Sequence, residues 1–386
     1  MQGILVLAWF LVSISVMLIL AKKNLWLAIF VAGLILAFST SNSINVIFNA
    51  LIKMSSIDNI LLAFALMEIP LIGKLLENPL TENISFLDRR VASVMGPAIF
   101  GFLAVPGGAV LSCPLVDRII GNDLPINKKA ALNVWFRHII FFVYPLSTAL
   151  IVAVALSGLD LVVAIAYMFP MLIVSVIIGY MFYLRGLSGG KNAGGNLYPG
   201  AITIIILAPV VQIVADILGL SMELSAFLGV TVAFLLSIFY VKITFREVFA
   251  IARRVEAWEF GLVYLAIMFY GYVFAQTSVS NVIYSLSPPR LLLAVIIPFL
   301  MGIATGRVQL ALTILIPLYK GLFGVIDYFI LTAMYTASSA GYLMSPVHPC
   351  LVLTSKYFRL NLHNAIKEIA LPSVLLTFFA AIYAGF

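Results

Sequence analysis

Apolar residues fill this chain in long runs that short polar segments separate. Twelve runs can be distinguished, at about residues 3–21, 25–49, 58–77, 91–116, 129–156, 160–184, 201–220, 224–242, 258–277, 290–319, 325–355 and 364–386. A helix needs about 20 predominantly apolar residues to cross the hydrocarbon core of a bilayer, and most of the runs reach that length. The pattern predicts an all-α polytopic membrane protein.

Two of the runs carry proline where a continuous helix does not tolerate it. Pro145 interrupts 129–156, and the sequence Ser-Pro-Val-His-Pro at 345–349 interrupts 325–355. Proline lacks an amide hydrogen and crowds the preceding turn. Backbone groups freed at such a break are tolerated at membrane depth only inside protein or beside a cavity. Both segments are therefore predicted to be broken helices that line a binding site.

Two further runs contain a turn near their centre. The turn Pro106-Gly107-Gly108 divides 91–116, and the sequence Ala-Thr-Gly-Arg at 304–307 divides 290–319. Each arm is too short to cross a bilayer. The sequence therefore predicts two re-entrant hairpins whose tips reach the middle of the membrane.

The prolines and glycines of these interruptions recur at a fixed distance. Pro97 and Pro298, Gly101 and Gly302, and Pro145 and Pro346 are each 201 positions apart. Matching interruptions predict two repeats, 1–185 and 201–386, joined by a cytoplasmic loop at 186–200. If the hairpins do not cross, each repeat has five membrane crossings, so the second repeat is inverted relative to the first.

Composition and charge agree with this topology. The chain is 63% hydrophobic and 10% charged, with a net charge of +7 and a mean hydropathy of +1.17. With both termini outside, most lysines and arginines fall on the inner side, as cytoplasmic loops require. The sorted charge explains the basic balance without a nucleic-acid partner. The segment Phe245–Trp258 is predicted to be an amphipathic helix on the inner surface, in contact with lipid.

The first broken helix carries the candidate anion site. Arg137 lies inside an apolar run, where a charge is costly and usually functional. Asn133, Arg137 and Tyr144 share one helical face by their spacing. A guanidinium fork suits a carboxylate or phosphate. The alternatives are an arginine paired with Asp117 or Glu68, or one that extends to the inner surface.

The second half supplies the other candidates. Thr305, Gly306 and Arg307 form the hairpin tip, where Arg307 either meets the solute or only bonds hairpin carbonyls. His348, between two prolines, either takes up a proton or is a satisfied core histidine. The candidate ligands of a coupling ion are Thr336, Ser338, Ser339 and Glu68. No resident metal or other cofactor is predicted, although these oxygens would suit a sodium ion. The two cysteines are interpreted as small core residues.

The hairpins and broken helices resemble those of the ion-transporter superfamily, which includes divalent-anion/sodium symporters, gluconate permeases and arsenite pumps. The motifs Val-Pro-Gly-Gly-Ala at 105–109, Asn-Val-Trp-Phe-Arg-His at 133–138 and Ser-Pro-Val-His at 345–348 are more similar to one prokaryotic integral-membrane family of unknown activity within it. The resemblance covers the whole chain. It implies an elevator mechanism, a mobile transport domain, and a scaffold that forms a homodimer.

One departure separates this chain from the sodium-coupled dicarboxylate members. These members carry Ser-Asn-Thr at both hairpin tips, where this chain has Val-Pro-Gly at 105–107 and Ala-Thr-Gly at 304–306. The resemblance therefore implies the architecture more strongly than the solute or the coupling ion.

The function predicted is that of a secondary active transporter in the cytoplasmic (inner) membrane. It would move a small anion by symport with sodium or protons. Two alternatives remain open, a lipid-carrier translocase and an intramembrane hydrolase that uses Ser338 or Ser339 with His348. The hydrolase requires serine and histidine within hydrogen-bond reach.

Overall fold

The computed structural model describes residues 2–21, 23–81, 88–101, 109–190, 199–285 and 287–386. The described residues form helices and no β-strand. The helices of the first half are α1 (Gln2–Leu20), α2 (Leu25–Ala37), α3 (Ser43–Met54), α4 (Ile57–Thr81), α5 (Arg89–Gly101), α6 (Ala109–Ile120), α7 (Ile126–Ile139), α8 (Thr148–Ser157) and α9 (Leu161–Gly179). Those of the second half are α10 (Pro199–Ile217), α11 (Met222–Val241), α12 (Phe245–Arg254), α13 (Ala257–Ala275), α14 (Val279–Tyr284), α15 (Ile297–Thr305), α16 (Val308–Phe323), α17 (Tyr328–Leu343), α18 (Pro349–Tyr357) and α19 (Leu362–Tyr383).

Five helical segments in the described residues are long and apolar enough to cross a membrane. They are Ile57–Leu76, Leu161–Leu184, Met222–Val241, Ala257–Ala275 and Leu362–Tyr383. Other apolar helices, including both arms of the second hairpin, are shorter than 18 residues. This all-helical, apolar architecture is that expected of a helical membrane protein.

Both predicted broken helices are present. The first consists of α7, a 3-10 turn at Ile140–Phe142 and α8, with Pro145 in the gap. The second consists of α17 and α18, with Pro346 in the gap. In each, the helix axis ends before the proline and a new helix begins after it, as a missing amide donor requires.

The second hairpin also has its turn where the sequence predicted it. A π-helical turn at Leu292–Ile296 leads into α15, and α16 begins at Val308. Gly306 joins the arms with φ of +60°, a conformation that favours glycine. In the first hairpin, α5 packs against α6. Its predicted tip, Pro106-Gly107-Gly108, lies outside the described residues.

Two predicted boundaries were wrong. The run 25–49 is not one helix, because Ser39 and Thr40 donate hydrogen bonds to the carbonyls of Leu36 and Ala37 and end α2. The residues that follow form α3, a separate helix with exposed apolar side chains. The amphipathic helix predicted at 245–258 ends earlier, at Arg254, because Glu256 adopts φ of +50° and starts a new direction.

The helices pack as two neighbouring groups. In one, α2 packs on α13, and α4 packs on both α11 and α13. Helix α1 packs on α2, and α10 packs on α11. In the other, α7 and α17 are almost fully buried between α5, α15, α9 and α19. The outer helices expose large apolar side chains such as Phe169, Phe239 and Phe378, which suits contact with lipid.

Candidate functional site

A cavity of about 430 Å³ lies between the two groups of helices, and we call it the central cavity. Its walls come from both broken helices, from the tip of the second hairpin and from α13. The interruptions explain its position, because a helix that stops inside the protein leaves space and free backbone groups beyond its end. A pocket of this size fits a small solute.

The tip of the second hairpin forms one wall. Thr305, Gly306 and Arg307 all line the cavity. The tip is fixed to the second break, since the Ser345 hydroxyl donates to the Ile303 carbonyl at 2.6 Å. A Cβ added at Gly306 would lie 2.8 Å from the Val347 side chain. Only a glycine therefore fits both the backbone turn and the space beside it.

The first broken helix brings Arg137 to the cavity. The residue is 2% exposed, and its Nη1 donates to the Phe100 carbonyl near the end of α5. The two acids that the sequence suggested as its ion-pair partners have other partners. Asp117 forms an ion pair with Lys129 at 2.7 Å, and Glu68 accepts a hydrogen bond from Thr231 at 2.9 Å.

The charges of the cavity are divided between its walls. Arg137 and Arg307 come from the broken-helix side, whereas Glu256 and Glu259 come from α13 and the turn before it. The Asn24 amide donates to Glu259 at 3.1 Å. Neither glutamate is among the site residues that the sequence predicted, because the repeat pattern did not reveal these carboxylates.

Comparison with known proteins gives the family. The family model described as Protein of unknown function (DUF401) matches residues 4–385. The chain belongs to the DUF401 family. No curated protein matches it.

The predicted residues of this DUF401 protein fall into distinct places. Those that line the central cavity are Arg137, Thr305, Gly306, Arg307 and Ser339. His348 lies behind the wall, fully buried, with its Nε2 3.2 Å from His138 Nε2. Pro106, Gly107 and Gly108 lie outside the described residues.

Asn133 has a different environment from Arg137, although the two share one helical face. It accepts a hydrogen bond from Ser112 at 2.6 Å and donates to the Ala109 carbonyl at 3.0 Å. These contacts join α7 to the second arm of the first hairpin. In this DUF401 protein, Asn133 holds the hairpin rather than lining the cavity.

The candidate ligands of a coupling ion do not converge. Thr336 and Ser338 are fully buried, and in the described part of the chain their hydroxyls have no hydrogen-bond partner. Two residues apart on a helix, they point in nearly opposite directions, about 160° apart. Glu68 lies at the contact of α4 with α11 and is not among the residues that line the cavity.

Sequence reasoning missed several cavity residues of the DUF401 chain. Glu259 lies near the start of an apolar run, and its charge inside a span was the signal that could have found it. Gln309 follows the hairpin tip and donates to Thr148 at 2.7 Å, which ties the second hairpin to the first broken helix. Tyr335 bonds the Phe141 carbonyl at the first break, a pairing that no local pattern reveals.

Proposed function

We propose that this DUF401 protein is a secondary active transporter that moves a small anion across the cytoplasmic membrane by an elevator mechanism. The observation that carries the proposal is the central cavity, where Arg137 and Arg307 reach one space from two interrupted segments. Interrupted helices near the middle of a membrane are the usual ligand-binding elements of transporters. Guanidinium groups recognise carboxylate and phosphate through paired donors.

The packing of the helices supports the inverted repeat that such a transporter requires. With an offset of 201 residues, α2, α4, α6, α7, α8 and α9 correspond to α11, α13, α16, α17, α18 and α19. Contacts between the halves occur in reciprocal pairs. Thus α2 packs on α13 and α4 on α11, α6 packs on α18 and α8 on α16, and α7 packs on α19 and α9 on α17. Reciprocal pairs are what a two-fold relation between halves produces.

Two glycines repeat the same close contact. A Cβ at Gly101 would overlap the Arg137 carbonyl oxygen, and a Cβ at Gly302 would overlap the Ser338 carbonyl oxygen. Both the glycines and their partners are 201 positions apart. The hairpin and the broken helix of each half are thus held together through the same approach of two backbones.

The elevator part of the proposal follows from the position of the cavity. The hairpins and broken helices would move together as a transport domain, and α1–α4 with α10–α13 would form the scaffold and the homodimer contact. Because the solute would sit between the two groups, movement of one along the other would expose it to each side in turn.

The coupling ion is proposed to be sodium or a proton. The contacts of His348 favour a transporter over an intramembrane hydrolase. Its two ring nitrogens face His138 and the Leu343 carbonyl rather than Ser338 or Ser339. A serine nucleophile needs its base within hydrogen-bond reach.

A binding screen tests the anion proposal. The purified protein is heated with small carboxylates, phosphate and other inorganic anions, each with sodium and with potassium as the cation. A ligand at 100 times its Kd stabilises the folded state by about 2.7 kcal/mol, so its Tm rises with concentration. Anions that raise the Tm are then tested for uptake into proteoliposomes under a sodium or proton gradient.

The matched variants are Arg307→Gln and Arg290→Gln, which remove the same charge. Arg307 lines the cavity, whereas Arg290 lies over the Phe323 ring outside it. We expect Arg307→Gln to abolish the anion-dependent rise and Arg290→Gln to retain it. Equal anion responses in the two variants would contradict the proposed site.

A further inference from the structure

Three side chains of types that bind transition metals gather at the wall of the central cavity. They are His138 near the end of α7, His348 at the second break and Cys350 in the first turn of α18. One ligand atom from each lies within 4.8 Å of the other two. The chain has only three histidines and two cysteines, so three of these five side chains meet at this point.

The contacts of the two rings orient their Nε2 atoms toward each other. His138 Nδ1 is 2.6 Å from the Val134 carbonyl oxygen, which only accepts, so Nδ1 carries a hydrogen. His348 Nδ1 faces the Leu343 carbonyl at 3.5 Å. In the tautomer in which both Nδ1 atoms carry the hydrogen, the two Nε2 lone pairs lie 3.2 Å apart and can share one cation.

The spacing suits a tetrahedral metal ion. Two imidazole nitrogens bound to one zinc ion at their usual bond lengths are about 3.3 Å apart, close to the 3.2 Å observed between the Nε2 atoms. Histidines that bind metals generally donate their other ring N–H to a carbonyl or carboxylate, as His138 does. The Tyr342 ring packs on His348 with 3.9 Å between centroids and holds its orientation.

We propose that His138 Nε2, His348 Nε2 and Cys350 Sγ bind one divalent d-block ion of the zinc type. Binding would release the thiol proton of Cys350 to solvent, since the thiolate is the metal ligand. His138 and Cys350 line the central cavity, so the fourth coordination position opens toward it. Arg137 and Arg307 also line the cavity, and their positive charge favours an anion as the fourth ligand.

The inference goes beyond the proposed transport and does not depend on it, because a protein that carries no anion would still bind the ion. Cobalt(II) is the probe, since a thiolate bound to it gives a charge-transfer absorption in the near ultraviolet. We expect one Co²⁺ per chain, the charge-transfer band, and displacement of the probe by one equivalent of Zn²⁺.

The second cysteine provides the matched control. Cys113 is buried like Cys350 but lies outside the cluster, against Thr354. We expect Cys113→Ser to keep the charge-transfer band, Cys350→Ser to lose it, and His348→Gln to weaken Co²⁺ binding at least tenfold. A band that follows Cys113, or that survives in Cys350→Ser, would overturn the assignment.

A measurement on the unaltered protein covers variants that do not fold. X-ray absorption of the zinc-loaded protein should give one sulfur and two imidazole nitrogens in the first shell. Failure of the purified wild-type protein to retain zinc, or a shell without sulfur, would leave a hydrogen bond between His138 and His348 as the contact and refute the metal site.

Discussion

In the first broken helix the residues before the interruption are Arg137 and His138, whereas the positions 201 residues later hold Ser338 and Ser339. The backbones around them are alike. Each helix stops before a proline, and each carbonyl at this level packs against a glycine of the neighbouring hairpin, Gly101 or Gly302. The backbone thus sets where a ligand could sit, and the unlike side chains determine what it could be.

In the hairpins, it is the second half that carries the arginine. The second carries Arg307 at its tip, and the equivalent position of the first is Pro106. Each half therefore contributes one arginine to this region, from the broken helix in the first half and from the hairpin in the second. In the proposed transporter, a symmetric framework would thereby hold an asymmetric set of ligands, as recognition of one oriented solute would require.

The largest expected effect tests the shared backbone plan. Gly302→Val and Gly101→Val should both lower stability by about 3 kcal/mol or more, because a side chain at either position meets a backbone oxygen that cannot move. Ala304→Val is the control, since Ala304 is exposed on the same helix as Gly302. The Tm in detergent measures all three. If Gly302→Val were as mild as the control, the close contact of α15 with α17 would be absent.

The next largest effect tests the side chains that differ between the two broken helices. Arg137→Ala removes the donor to the Phe100 carbonyl and should cost about 1–3 kcal/mol of stability. It should also abolish anion binding. Ser338→Ala should change stability by less than about 0.5 kcal/mol, because its hydroxyl has no partner in the described part of the protein.

Arg137→Lys sharpens this test, because it keeps the charge and loses the planar fork. We expect it to recover part of the stability and only part of the anion-dependent rise in Tm. Full recovery of anion binding by lysine would show that charge alone is recognised.

A smaller effect concerns the contact of the second hairpin with its broken helix. Ser345→Ala removes the hydrogen bond to the Ile303 carbonyl and should lower stability by about 1 kcal/mol. Ser285→Ala is the control, since Ser285 is exposed and bonds only within its own turn. Thermal unfolding of the two variants measures the decrease in Tm that each causes, and equal decreases would contradict the anchoring role of Ser345.

The smallest expected effect concerns a loop contact of Asp123 that is present in the first half. Arg89 bonds Asp123 at 3.0 Å, and the Ser188 hydroxyl donates to the same carboxylate. The Ser188 hydrogen bond, with the nearby Arg89, lowers the pKa of Asp123 below its ordinary value of 3.8. The equivalent position in the second half is Gly324, so this interaction has no counterpart there.

The sign of the pH effect follows from the lowered pKa. The stabilising contribution is present above the ordinary pKa and is lost as the pH falls through the folded value. The Tm of the wild-type protein should therefore decrease below about pH 4, and Asp123→Asn should remove this part of the decrease. Asp327→Asn, at the start of α17, is the comparison. A pH profile unchanged by Asp123→Asn would show that the loop contact adds nothing.

The sequence predicted those elements whose cause is local. Pro145, Pro346 and Gly306 each impose a backbone geometry on their own neighbours, so the breaks and the second hairpin turn appeared where they were expected. The division of 25–49 was missed because apolar residues flank the hydroxyl-rich stretch on both sides. The hydroxyls that end α2 act through bonds to carbonyls three residues back, which hydropathy does not report.

By itself, the sequence determined the helical membrane architecture, both helix breaks and the second hairpin turn, because apolar length, proline and glycine act over a few residues. Only the tertiary structure decided which side chains share a space. His138 and His348 are 210 positions apart and touch, whereas Thr336 and Ser338 are near neighbours that diverge. The physical reason is that a ligand set forms between helices, and the packing that aligns those helices depends on contacts across the whole chain.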